Sequence, residues 1–189
     1  LLCVRTHPLF VLKMTALLAT SPTTSLLAMP SLSDQRFSLI VPAAKADSRG
    51  VDFAAPTPAE TISFDNVYVT QPTDGAKEIN AKLAAGLHVV VTPGIYQLTA
   101  PLILSHPNQV LLGLGMATLV SAAATPVITV GDADGVRVAG FLMQAGPLMQ
   151  QQVAPALLQW GSSGSFAGNK SNPGVISDVF ARVGGPDGT

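Results

Sequence analysis

Eleven carboxylates and ten basic side chains are spread over 189 residues, and few stand close enough to share a reaction. The closest acidic pair is Asp132 and Asp134. Residues i and i+2 of an extended segment project to the same side. The two carboxylates could therefore act as acid and base in glycoside hydrolysis, or contribute to a Ca²⁺ site. They also flank Ala133 and precede Gly135, a turn signature in which Asp side chains bond local backbone N–H groups. Asp178 and Arg182, four apart, would face the same way on one strand. They suit a salt bridge or ladder element on the surface, or a sugar-binding pair on a lateral groove. Trp160, the sole tryptophan, could offer its face to a pyranose ring or pack in a core. Arg137 alternates with Val136 and Val138 and is expected to point outward into solvent.

Other chemistries find little support. His7, His88 and His106 are far apart and show no metal-ligand spacing; His88 is expected at the surface, at a strand start. A single cysteine, Cys3, leaves no disulfide framework and no Cys-based zinc site. Gly113-Leu114-Gly115 lacks the third glycine and the following helix that a dinucleotide loop needs. Asn169-Lys170-Ser171 is an N-glycosylation acceptor sequence, meaningful for a secreted eukaryotic chain. It lies in a Gly/Ser/Asn-rich stretch, 161–172, that reads as an excursion between strands.

The elements that must position these residues are apolar and short. Hydrophobic residues make up 48% of the chain and charged ones 11%, against about 25% charged in an average domain. That excludes a disordered chain. A net charge of −1, without a basic cluster, argues against a nucleic-acid partner. Fifteen Pro and 17 Gly disfavour long helices. No apolar run reaches the ~18 residues of a membrane span. Lacking an initiator Met and stopping at Thr189 mid-phrase, the chain reads as a fragment.

Three sections are expected: a poorly ordered leader or degenerate signal region over 1–34, short strands over 35–75, and a repeating texture over 76–189. Strands are expected at Phe37–Val41 and Thr61–Thr70, the latter interrupted by an Asp65-Asn66 turn. One helix is expected at about Asp74–Ala85, capped by Asp74, buried through Ile79 and Leu83, and ended by Gly86. After it come strands at His88–Val91, Tyr96–Thr99, Leu102–Leu104, Gln109–Leu112, Thr118–Val120, Val127–Val130, Val136–Ala139, Phe141–Gln144, Leu157–Trp160 and Val175–Arg182. Comparable starts at His88, Gln109, Gly135, Pro155 and Gly174 recur about every 20–26 residues, as in a solenoid whose coils bury an apolar interior only by stacking. Parallel pairing accounts for near-continuous apolar runs. The helix would cap the open first coil. The alternative, a β-sandwich, wants hairpin turns that are scarce here.

Several stretches carry a family resemblance. Thr92-Pro93-Gly94-Ile95-Tyr96-Gln97-Leu98 resembles the PGxY turn near the start of pectin-lyase-like right-handed parallel β-helices. Val110–Leu119, Gly131–Phe141 and Ile176–Gly185 resemble successive coils of that superfamily. With Ile79-Asn80-Ala81-Lys82-Leu83, they are similar to secreted fungal and bacterial proteins related to glycoside hydrolase family 55 and the pectate-lyase superfamily. The resemblance covers roughly residues 36–189. It implies an all-β, right-handed parallel β-helix with an N-terminal capping helix, truncated after its first coils. It further implies a polysaccharide partner, hydrolase or lyase chemistry or binding alone, and catalytic residues beyond Thr189. The protein would be extracellular or at the cell surface and a monomer at full length. No cofactor is implied, apart from Ca²⁺ if the chemistry is lyase-like. Asp132, Asp134 and Asp178 are the candidate catalytic groups, and Arg182 and Trp160 the candidate substrate contacts.

Overall fold

Hydrophobic alternation shapes the short N-terminal strands. The computed structural model describes residues 37–41, 60–123, 125–146, 156–162, 164 and 166–182, and the chain divides into two units between Asp65 and Asn66. In the first unit, β1 (Ser38–Val41) pairs antiparallel with β2 (Glu60–Ser63), with Leu39 opposite Ile62. Leu39, Val41 and Ile62 are buried, and the Phe37 and Phe64 rings meet at 5.9 Å. A 3₁₀ turn at Phe64–Asn66 then interrupts the Thr61–Thr70 stretch as expected. Asp65 anchors it by accepting a hydrogen bond from Ser63 Oγ at 2.9 Å.

In the second unit every strand pairing among the described residues is parallel. The first sheet runs β3 (Val67–Val69), β4 (His88–Val91), β7 (Val110–Ser121), β9 (Arg137–Ala145) and β11 (Val175–Ser177). β5 (Ile95–Leu98) and β12 (Phe180–Arg182) pair with the second halves of β7 and β9 and form a second face. A third sheet holds β6 (Leu102–Leu104), β8 (Ile128–Val130) and β10 (Leu158–Trp160). Each coil thus visits three faces before stacking on the next, about 4.8 Å further along. The result is a partial β-helix.

The interior is made of side-chain columns running from coil to coil. Val89, Leu111 and Val138 stand in register on the first face, all fully buried. Tyr96, Leu119 and Met143 do the same on the second, and Leu102, Leu104, Ile128 and Val130 line the third. The apolar runs divide by face. On the first face the outward column is buried too, through Val90, Leu112 and Ala139, so β4 reads His-Val-Val-Val without alternation. β5 and β6 alternate strictly, with Ile95 and Ile103 exposed.

Two corners need glycine. The corner between the first and second faces is made by Gly113–Met116 in one coil and by Gly140 alone in the next. A Cβ on Gly113 would strike the carbonyl oxygen of Gly140, and one on Gly140, whose φ is +78°, would strike Gly113. Gly113-Leu114-Gly115 therefore belongs to a coil corner, consistent with its poor match to a nucleotide loop.

The helix α1 spans Ala76–Ala84 and packs Ala76, Ile79 and Leu83 inward. It ends in a Schellman turn: Gly86, at φ +81°, donates to Leu83 O, and Leu87 donates to Lys82 O. Its start departs from expectation. The N-cap is Gly75, while the Asp74 carboxylate turns away to accept from Gln71 N at 2.8 Å and Tyr68 Oη at 2.7 Å. Asn80 joins the helix to the edge of β6. Its amide donates to Pro101 O at 2.7 Å and accepts from Ile103 N at 2.8 Å, as a neighbouring strand would.

Three further expectations change. Pro155 lies outside the described residues, and the strand expected at Leu157–Trp160 pairs with β8 on the third face. It belongs to the coil that starts at Arg137 and opens no coil of its own. Arg137 is buried, at 8% exposure, as are Val90, Leu112 and Ala139 on the same outward side of the first sheet. His88 is half-buried and structural: its Nδ1 accepts from Val110 N at 3.2 Å.

Candidate functional site

The acidic pair singled out by spacing, Asp132 and Asp134, sits at the corner between the third face and the next coil's first face. Three successive corners stack there: 105–109, 131–136 and 161–174. Asp132 uses both carboxylate oxygens on the last of these. Ser162 N donates to Oδ1 at 3.0 Å and Ser162 Oγ donates to Oδ2 at 2.7 Å. Asp134 Oδ1 accepts from Asn169 N at 2.8 Å, and its backbone carbonyl accepts from Asn108 N at 2.8 Å. The turn reading of this pair is corrected in one respect. Bonds run to a loop 30 and 35 residues further on, and the Asp134 carboxylate makes none to local backbone among the described residues, because in a parallel solenoid a corner's neighbour is the next coil.

Between these corners sits a clamp that spacing did not reveal. Asn172 Nδ2 donates to Asn108 Oδ1 at 2.7 Å, joining residues 64 apart in sequence. The bond passes over Gly135, where a Cβ would lie 2.5 Å from Asn172 Nδ2 and would also strike Asn108 Oδ1. Asn108 and Gly135 both adopt positive φ, +60° and +70°. Each stands two residues before the strand that opens its coil, Val110 or Arg137. That fixed offset was a usable signal.

The other candidates lie apart from this corner. Asp178 stands at φ +50° between β11 and β12 and accepts from Ser177 Oγ at 3.1 Å. The break means Asp178 and Arg182 do not share one strand, so the period-two argument that paired them fails. Arg182 is exposed on β12 opposite Gln144. Trp160 is half-buried, packs against the interior cluster and lies against Gly174, where a Cβ would strike its ring.

A second polar cluster surrounds the start of α1. Hydrogen bonding to Asp74, then burial, then the charges of Asp74 and Glu78 hold the Tyr68 phenol above its ordinary value. Lys82 Nζ sits 5.1 Å from the centre of that ring. The PGxY tyrosine, Tyr96, points inward. Its hydroxyl lies 2.8 Å from both Thr70 Oγ1 and Thr92 Oγ1, in a buried network that closes the first corner. Gln109, buried and unanticipated, donates to Leu83 O and Leu87 O, and so ties α1's C-terminus to the next coil.

Chemically, this is a set of positioning contacts. Asp132 and Asp134 hold a loop, and among the described residues no three His, Cys, Asp or Glu side chains come together around a metal-sized site. No helix among them is long and apolar enough to cross a membrane.

Comparison with known proteins assigns the scaffold. Residues 67–189 match the family model of the LAM55 pectate lyase-like domain. The sequence is 37% identical over 155 residues to an exo-β-1,3-glucanase of Streptomyces sp. (strain SirexAA-E / ActE), covering 82% of this chain and 25% of that protein. The fold matches sacteLam55A from Streptomyces sp. SirexAA-E with a TM-score of 0.72 and 38% identity, over 82% of this chain and 28% of that one. It matches a variant of sacteLam55A in complex with glucose with a TM-score of 0.73 and 37% identity, over 82% of this chain and 27% of that one. The chain thus spans about a quarter of the length of these relatives.

Proposed function

The chain belongs to the LAM55 pectate-lyase-like family, and on that premise we propose that it is the N-terminal scaffold of a secreted polysaccharide hydrolase acting on β-1,3-glucan. The observation that carries this is the 37% identity to an exo-β-1,3-glucanase, combined with a solenoid in which both carboxylates of the acidic pair accept hydrogen bonds from a loop of the next coil. The residues that cleave the substrate lie outside these 189. α1 serves as the N-terminal cap: Asn80 occupies the hydrogen-bonding groups that β6 would otherwise present as a free edge. The coils wind right-handed, as parallel crossovers do in nearly all proteins. On this reading the protein works outside the cell or on its surface, where a polymeric substrate is met.

The test uses the full-length protein carrying this segment, incubated separately with β-1,3-glucan, β-1,4-glucan, α-1,4-glucan and pectin, with products resolved by chromatography. Glucose released from β-1,3-glucan alone is the expected result. Retention on glucan without release would replace hydrolysis by binding, and unsaturated products from pectin would replace it by lyase chemistry. Asp132→Asn and Asp134→Asn test the scaffold role separately. Each should leave kcat within about twofold, whereas loss of a general acid or base costs about 10²–10⁴-fold.

A further inference from the structure

The loop that the acidic pair holds carries features that scaffolding does not explain. Asn169-Lys170-Ser171 is the only Asn-X-Ser/Thr in the sequence. Asn169 is exposed, with its backbone N–H fixed on Asp134. Its side-chain Oδ1 accepts from Ser171 N at 2.9 Å. The turn closes when Asn172 N donates to Asn169 O at 3.0 Å, and Asn172 is itself anchored on Asn108. Both ends of the turn are therefore pinned to earlier coils. Asn169 Nδ2 has no hydrogen-bond partner among the described residues.

Three residues upstream stands Phe166, 44% exposed. Gly168, at φ +66°, turns the chain so that the Phe166 ring edge lies 3.8 Å from where a Gly168 Cβ would be. That places a partly exposed aromatic ring against Gly168, the residue next to the acceptor asparagine. Aromatic faces pack well against apolar C–H surface, and a pyranose ring presents such a surface.

We propose that Asn169 is an acceptor for N-linked glycosylation and that Phe166 is the face on which the first sugar packs. The donor is an oligosaccharide joined through its anomeric carbon to a lipid diphosphate. The Nδ2–C1 bond forms as the bond from C1 to the diphosphate oxygen breaks. The amide gives up one proton, and the lipid diphosphate leaves with the electron pair. Ser171 supplies the hydroxyl that the acceptor sequence requires. The inference stands apart from glucan hydrolysis, since an inactive protein with this loop would be modified equally well.

The experiment translates the full protein into microsomes behind a cleavable signal sequence and scores only chains protected from added protease. The expected result is one glycan that is removed by peptide N-glycosidase and lost in Ser171→Ala. That variant keeps every Asn169 hydrogen bond described here and so leaves the loop intact. Ser171→Thr should retain the glycan. Phe166→Ala should keep the acceptor sequence but abolish at least half of the melting-temperature rise that the glycan confers on the secreted protein. A protease-protected chain whose mass is the same with and without Ser171 overturns the acceptor assignment. A glycan whose stabilising effect is unchanged in Phe166→Ala overturns the packing assignment.

Discussion

Replacing Gly135 by alanine should loosen the corner that joins three coils. Two effects combine. Gly135 sits at φ +70°, where an L-residue costs about 1–2 kcal/mol. The new Cβ would also occupy the line between Asn108 Oδ1 and Asn172 Nδ2, breaking a hydrogen bond whose net worth is about 1 kcal/mol. The expected loss is about 2–3 kcal/mol, felt locally. Because the protein's relatives are roughly four times longer than this chain, a global melting temperature would dilute the effect, and hydrogen exchange read by mass spectrometry is the better assay. Amide protection at Asn108 and Val175, which donate to Asp134 O and Val136 O, should fall by roughly 30–150-fold, at a factor of ten per 1.4 kcal/mol. Two variants separate the causes. Gly135→Asn tolerates positive φ yet still carries the obstructing Cβ, so it should show most of the loss of the clamp and little backbone strain. Asn172→Ala should cost about 1 kcal/mol alone and almost nothing on top of Gly135→Ala, since the bond is already gone. Protection within threefold of the native value in Gly135→Ala would refute the reasoning, as would full additivity of the two substitutions.

Three other outcomes are expected. Asn80→Ala removes two hydrogen bonds at the β6 edge; it should cost about 1–3 kcal/mol and raise the aggregation rate measured by light scattering, because an unpaired edge templates further strands. Tyr96→Phe withdraws the hydroxyl shared by Thr70 and Thr92 and should destabilise the unit by about 1–3 kcal/mol in denaturant titration, the price of leaving buried hydroxyls short of a partner. The raised pKa of Tyr68 means that its neutral form is the one the fold favours. Its contribution is complete below the ordinary phenol value of 10.0 and is lost as pH climbs through the raised value. Difference spectra of the phenolate should therefore show Asp74→Asn titrating at lower pH than the native protein, while an unchanged midpoint would remove Asp74 as the cause.

Local patterns in the sequence were enough for most of the strands and for the helix's end and buried face. His88–Val91 and Leu102–Leu104 were read to the residue, because a short apolar run between Gly, Pro and Asn is decided by its own neighbours. Gly86 and the 3.6-residue spacing of Ile79 and Leu83 fixed the helix end and its buried face for the same reason. The stacked coils followed from recurrence, up to the point where one coil takes 38 residues, from Arg137 to Val175, and the even period misled at Pro155.

What the side chains do was decided by tertiary structure. Each coil's neighbours lie a whole turn of the solenoid away in sequence. Thus Asp132 and Asp134 serve a loop 30 and 35 residues later, Gln109 serves a helix 26 residues earlier, and Asn108 meets Asn172 across 64 residues. Arg137 is buried together with the outward residues Val90, Leu112 and Ala139 of its sheet, which alternation with valines does not disclose. The sequence by itself determined a stack of short parallel strands, since hydrophobic period and turn chemistry act over a few residues. Whether its few polar groups catalyse, bind or brace depends on contacts between coils, and here those contacts engage the acidic pair in bracing.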